Sequence, residues 1–210
     1  MIRTLIAALM LFAAPAYAQE AAPPAPPAPA KVWRTETVRL ETAEGLILIA
    51  LEVERAPITS ANFLRYVDQK KFDGATFYRA LSFPGRPDLG LVQGGAKSDP
   101  KRLLPPIKHE PTTQTGLSHS EGAISMARGA VGSAQGDFFI ILGNLNSLDA
   151  SPAAQGDNQG FAVFGRVVQG MDVVKKILAA PVSATEGVGA MKGQMIAQPI
   201  PIKSARRSPK

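Results

Sequence analysis

The sequence predicts a mainly β domain folded as a closed β-barrel with two helical plugs. Three observations predict it. Short apolar runs of strand length recur along the chain, two stretches carry helical rather than alternating spacing, and 19 glycines among 210 residues supply turns between many short strands.

In order along the chain, residues 38–41 and 46–53 read as strands flanking Ala43-Glu44-Gly45, a hairpin turn. A helix begins around Pro57-Ile58-Thr59 and runs to about residue 70, with Phe63, Tyr66, Val67 and Lys70 at helical spacing. Residues 122–127, 138–142 and 161–168 are further strands, the last two nearly continuous in apolar residues. A second helix spans about 171–179. Asp172 lies in its first turn, Lys175 and Lys176 towards its end, and Pro181 beyond it. There is no internal repeat.

The ends read differently. Arg3 followed by the apolar run 5–12 and Ala16-Tyr17-Ala18 has the form of a secretory signal peptide, residues 1–18, with cleavage expected after Ala18. That run is too short to span a bilayer, so no stable membrane insertion is expected once it is removed. Residues 19–35 form a Pro/Ala-rich linker, an extended and semi-rigid spacer because proline fixes φ and lacks an amide hydrogen. The folded domain is expected over 36–204, with a basic tail at 205–210. A periplasmic or secreted location follows, and the absence of cysteine suits an oxidising compartment.

Composition excludes several function classes. Without cysteine there are no disulfides, no thiolate nucleophile and no usual structural zinc site. The formal charge of +6 is spread out, the only basic cluster being Arg206-Arg207-Ser208-Pro209-Lys210. Nucleic acid is therefore not an expected partner. His109 and His119 are the only histidines, and no carboxylate stands at metal-site spacing to both. They read as solvated or hydrogen-bonded loop residues. Residues 187–193 are close to a dinucleotide loop, but the last glycine is one position late and no strand–turn–helix context surrounds them. There is no nucleophile elbow and no phosphate-binding loop of the Walker type.

Three stretches, in order, carry a family resemblance. They are Ala56-Pro57-Ile58-Thr59-Ser60-Ala61-Asn62-Phe63-Leu64 with Phe72-Asp73-Gly74-Ala75-Thr76-Phe77-Tyr78-Arg79, then Val92-Gln93-Gly94-Gly95. The third is Gly122-Ala123-Ile124-Ser125-Met126-Ala127 followed by Phe138-Phe139-Ile140, Leu148-Asp149 and Phe161-Ala162-Val163-Phe164-Gly165-Arg166-Val167. Together they resemble the cyclophilins. The resemblance implies an eight-stranded antiparallel closed β-barrel capped by two α-helices, peptidyl-prolyl cis-trans isomerase activity, and no cofactor or metal. It also implies proline-containing polypeptides, unfolded or extended, as partners of a monomeric protein that assists folding of exported chains.

Residue by residue, Arg79 matches the catalytic arginine and Gln93 the active-site glutamine. Phe139 matches the floor of the proline pocket, and Leu91, Leu148 and Phe161 match other pocket positions. Ala127 and Arg128 match a contact to the substrate backbone. Independently of any family, an arginine inside an apolar strand, directly after Phe77-Tyr78, is costly unless it faces a site.

The chain also departs from the pattern. It is longer between Arg79 and Gln93, Gly90 falls where many members carry a pocket phenylalanine, and Phe83 or Leu89 are the candidate replacements. Arg128 stands for a usual asparagine, Asp137 for a glutamine, and Ser147 for the tryptophan that helps many eukaryotic members hold cyclosporin. Phe161 replaces a histidine, and 150–159 is a second insertion expected to form a mobile rim loop. Two other readings compete: a low-turnover chaperone or proline-peptide binding module on the same barrel, and an envelope interaction protein using spacer and tail.

Overall fold

Alternation builds the wall. In β1 (Glu36–Thr42) Val38, Leu40 and Thr42 point inward while Arg39 faces water, and in β2 (Leu46–Leu51) Ile47, Ile49 and Leu51 point inward. The computed structural model describes residues 31–96, 99–153 and 156–209, so the expected signal peptide and the linker up to residue 30 lie outside the described residues. The other strands are β3 (Thr76–Phe83), β4 (Arg86–Gly95), β5 (Ala123–Met126), β6 (Asp137–Leu142), β7 (Ala162–Gln169), β8 (Val182–Ser183) and β9 (Met195–Arg207).

Their order, β1-β2-β7-β5-β6-β4-β3-β9, is antiparallel throughout and closes through β1–β9 pairing, so the barrel has eight strands as expected. β8 is a two-residue addition outside that ring, paired only to β9. Closure leaves no unpaired edge on the eight. β9 runs to Arg207, past the expected domain end at 204. Its two arginines are not a free tail: Arg206 meets Asp73 at 2.7 Å, and Arg207 meets Asp68 at 2.7 Å as well as Glu36.

The helices α1 (Pro57–Asp68) and α3 (Met171–Leu178) bury one face each in the same core as the inward strand residues. A further single turn, α2 (Thr112–Thr115), was not expected from spacing; it is closed by Gly116 in the left-handed region at φ 66°. Pro57 sits at the start of α1, where its missing N–H costs nothing. The preceding Ala56 has no capping side chain. Buried Glu110, from a distant segment, takes that role, accepting from the backbone N–H of Ile58 (3.1 Å) and Thr59 (2.7 Å).

At the centre, Phe138 meets Phe63, Phe72 and Phe77 edge-on, with ring centroids 5.4, 5.5 and 5.8 Å away. Period two then sends its neighbour Phe139 to the other face of β6, into a second, smaller apolar cluster with Leu91, Ile141 and Val163. The near-continuous apolar run in β6 is explained by this: both faces of the strand are covered.

Candidate active site

The outer face of the wall carries the site. Cross-strand register sets Arg79 on β3 opposite Gln93 on β4, Gln93 opposite Phe139 on β6, and Phe139 opposite Ser125 on β5. Leu81 lies opposite Leu91 in the neighbouring row. These side chains, with Ala127, Arg128, Leu148 and Phe161, line a cavity of about 430 Å³ that ends at Met191 on the far side. All eight sequence-predicted site residues therefore meet in one place.

A β-bulge makes this geometry possible. The register of β3 against both β4 and β9 shifts between Phe77 and Arg79. Phe77 and Ala80 join the core, and the extra residue lets Tyr78 and Arg79 both turn towards Gln93. Arg79 Nη1 donates to Gln93 Oε1 at 2.8 Å, and Gln93 Nε2 donates to the Tyr78 hydroxyl at 2.8 Å. That hydroxyl reaches Asp137 Oδ2 at 3.0 Å. Burial, with the Asp137 charge beside it, pushes the Tyr78 phenol well up, so it stays a neutral donor. On the opposite edge Arg79 Nε donates to Gln194 Oε1 at 2.8 Å. Burial lowers the basicity of Arg79, but a guanidinium remains charged at any neutral pH.

The apolar half of the cavity has Phe139 as its floor, 4% exposed, with Phe161 edge-on to it at 5.4 Å. The inserted stretch 80–92 is not a loop: it lengthens β3 and β4 into a hairpin turning at Pro84-Gly85. A side chain at Gly90 would start 2.2 Å from the Leu81 carbonyl and 3.1 Å from Leu178, away from the cavity. Neither Phe83 nor Leu89 supplies the missing wall. Leu81, paired to Leu91, does.

Arg128 needs a correction. The expected contact from its side chain to a substrate backbone has no donor to make it. Nε and Nη2 both donate to the Gly160 carbonyl (2.9 and 2.5 Å), Nη1 to the Gly129 carbonyl (3.0 Å), and Nη1 and Nη2 to the Asp157 carboxylate (2.7 and 2.9 Å). Five N–H groups are thereby spent. The guanidinium lies 5.3 Å from the Phe161 ring centre, so Arg128 fastens the second insertion to the pocket wall. It also holds the Asp157 carboxyl down to about 2.

Both histidines are hydrogen-bonded as expected but are buried rather than solvated. His109 Nε2 lies 2.9 Å from the Gln159 carbonyl. His119, stacked against Phe139 with centroids 5.9 Å apart, has Nδ1 2.5 Å from Asp149 Oδ1 and Nε2 3.0 Å from Ser125 Oγ. A carboxylate only accepts, so Nδ1 carries the proton and Nε2 accepts from the serine. Burial would raise the Asp149 carboxyl, but hydrogen bonds from Ser118 and His119 outweigh it and hold it low. This Asp–His–Ser chain is not a nucleophile: Ser125 is fully buried and does not line the cavity. It props the floor from behind. No cluster of three metal-ligating side chains occurs among the described residues.

Burial lowers the His119 pKa, and Asp149 offsets only part of that. Below the ordinary histidine value of 6.5 the unfolded chain takes up a proton that the folded one resists. The stability contribution is thus fully present above that pH and is lost as pH falls towards the depressed folded value. The urea midpoint is expected to drop from about pH 7.5 to about pH 5.5, and His119→Gln to flatten that slope. An unchanged slope in the variant would assign the dependence to other groups.

Comparison with known proteins agrees with this geometry. The family model for "Cyclophilin type peptidyl-prolyl cis-trans isomerase/CLD" matches residues 37–207. Peptidyl-prolyl cis-trans isomerase A of Dickeya dadantii is 36% identical, over 85% of this chain and 88% of its own. The peptidyl-prolyl cis-trans isomerase of Acinetobacter baylyi is also 36% identical, over 70% of this chain and 73% of its own. Among solved structures, a Cryptosporidium parvum cyclophilin-type isomerase superposes with a TM-score of 0.66 at 18% identity, covering 83% of this chain and all of its own. That structure was determined in the presence of the dipeptide Ala-Pro.

Proposed function

The chain belongs to the cyclophilin-type peptidyl-prolyl cis-trans isomerases, and from that premise we propose that it turns over X-Pro bonds of exported polypeptides in the cavity between Arg79 and Phe139. The observation that carries the proposal is the pairing, in one cavity, of a charged guanidinium held by neutral partners with a floor of aromatic rings.

The chemistry asks for this combination. Rotation about a peptide bond costs about 18–20 kcal/mol because resonance stiffens C–N, while the two X-Pro isomers differ by only about 0.5–1 kcal/mol. A catalyst need only favour the twisted amide over both planar forms. As the bond twists, conjugation is lost and the proline nitrogen gains a usable lone pair. Arg79 supplies permanent N–H donors towards it, and their attraction is larger for the twisted state than for either ground state. Phe139, Leu91, Leu148 and Phe161 would hold the pyrrolidine ring. Gln93 orients Arg79, and because the Ala127 N–H is spent on the Asp137 carbonyl at 2.9 Å, the substrate backbone contact there falls to its carbonyl. No step requires a nucleophile or a base.

The alternative of a binding module with little turnover rested on a missing pocket wall at Gly90, and Leu81 supplies that wall. The export reading rests on residues 1–18, the absence of cysteine and the Pro/Ala spacer. The protein is proposed to act as a monomer in the periplasm or outside the cell.

A titration with a short Ala-Pro peptide, followed by amide chemical shifts, tests the site. Shifts should concentrate at Arg79, Gln93, Ala127, Phe139 and Phe161. A footprint elsewhere on the barrel would reject this cavity. N-terminal sequencing from an envelope fraction should begin at Gln19, and an intact Met1 on cytoplasmic protein would reject export.

A further inference from the structure

We infer that Gln194 is a positioning residue for the reaction, setting the roll of the Arg79 guanidinium and tying it to the wall that carries Met191. The inference rests on the assignment of Arg79 as the group that meets the twisted amide. Gln194 lies in the turn leading into β9, 115 positions from Arg79. Its Oε1 accepts from Arg79 Nε at 2.8 Å, and its Nε2 donates to the Ala190 carbonyl at 2.7 Å. Ala190 belongs to the short helical turn Gly189–Met191, whose last residue lines the cavity. One amide thus spans from the arginine to the opposite wall.

Counting donors shows what this accomplishes. A guanidinium has five N–H groups in one plane. Gln93 takes one on Nη1 and Gln194 takes the one on Nε, from two different edges. A planar group held at two edges cannot roll about its side-chain axis, and the remaining hydrogens, both on Nη2 and one on Nη1, are left for the cavity. Without Gln194 only the Nη1 contact remains, and the plane is free to swing about it.

The chemical type of the partners matters equally. Both acceptors are neutral amides. A carboxylate at either place would hold the plane as well, but would form an ion pair and cancel part of the charge the reaction uses. Gln93 is itself fixed through Tyr78 to Asp137, so the one carboxylate in the relay stands two hydrogen bonds away from the guanidinium. Gln194 needs no such relay because its own N–H₂ is anchored on the backbone.

The experiment compares Gln194→Leu, which removes the acceptor at similar size, with Gln194→Glu, which keeps an acceptor and adds charge. Each is made in the intact protein and checked by thermal melting. Gln194→Leu is expected to lower kcat/KM about tenfold, equivalent to about 1.4 kcal/mol, with the loss in kcat rather than KM. The Arg79 Nε–H resonance should at the same time lose its protection from solvent exchange. Gln194→Glu should keep that resonance protected and still turn over more slowly. In an Arg79→Ala background, Gln194→Leu should cause no further loss, because a positioning residue has nothing left to position. Unchanged kcat in Gln194→Leu, an unchanged Nε–H resonance, or an additive loss in the double variant would overturn the inference. Near-normal turnover of Arg79→Ala alone would instead reject the assignment of Arg79, while the Nε–H resonance would still report whether Gln194 holds it.

Discussion

Phe138→Ala is expected to remove about 3–5 kcal/mol of stability, the usual cost of deleting a buried aromatic ring. Phe138 has no exposed surface and touches three other rings edge-on, from α1, from the segment after it and from β3. Removing it leaves a cavity bounded by Phe63, Phe72 and Phe77, each fixed by its own neighbours, so collapse is limited. Domains hold only about 5–15 kcal/mol in total, and a chain of this size loses about 2–4 °C per kcal/mol. The melting temperature should therefore fall by roughly 10 °C. Phe139→Ala is the control. That ring belongs to the smaller cluster and lines the cavity, so the variant should lose less stability and show its main effect in KM. Equal melting temperatures for the two would mean that the faces of β6 are misassigned.

That pair of phenylalanines also shows what the chain made legible. Strand positions followed from apolar runs because each run's inward residues had one core to reach, and both long helices followed from spacing and end charges. The barrel's last strand was cut short at 204 because Arg206 and Arg207 look like solvated charge; their partners Asp73, Asp68 and Glu36 are remote in sequence. The site residues were legible through short motifs within single strands. What those motifs could not show is register. The bulge at Tyr78 exists only relative to β4 and β9, and Gln194 reaches Arg79 only because β9 lies beside β3. Glu110 capping α1 from another segment is hidden for the same reason. Arg128 was misread because its residue type suits a substrate contact, whereas its acceptors come from the second insertion. The hairpin at 80–92 was read as a loop because Pro84, Gly85 and Pro87 obscure the alternation of its strands.

The most direct test of the mechanism is the isomerisation rate of Arg79→Ala, measured at saturating X-Pro peptide by exchange spectroscopy between cis and trans signals. Arg79 stands at the cavity's polar end with two donors spent on neutral amides and the rest directed at substrate. Deleting one preorganised donor of this kind costs about 2.7–4 kcal/mol in other enzymes, roughly a hundred- to thousand-fold in kcat. Arg79→Lys should recover little, because one compact ammonium cannot keep both glutamine contacts and also reach the amide. The fold should survive, since Arg79 is only partly buried and takes no part in the core cluster, and circular dichroism with thermal melting verifies that. The account predicts a folded Arg79→Ala protein that still binds the peptide at Phe139 and exchanges its isomers at least a hundredfold more slowly. A folded variant that exchanges them at nearly the rate of the unmodified protein would contradict it, and would make the arginine structural.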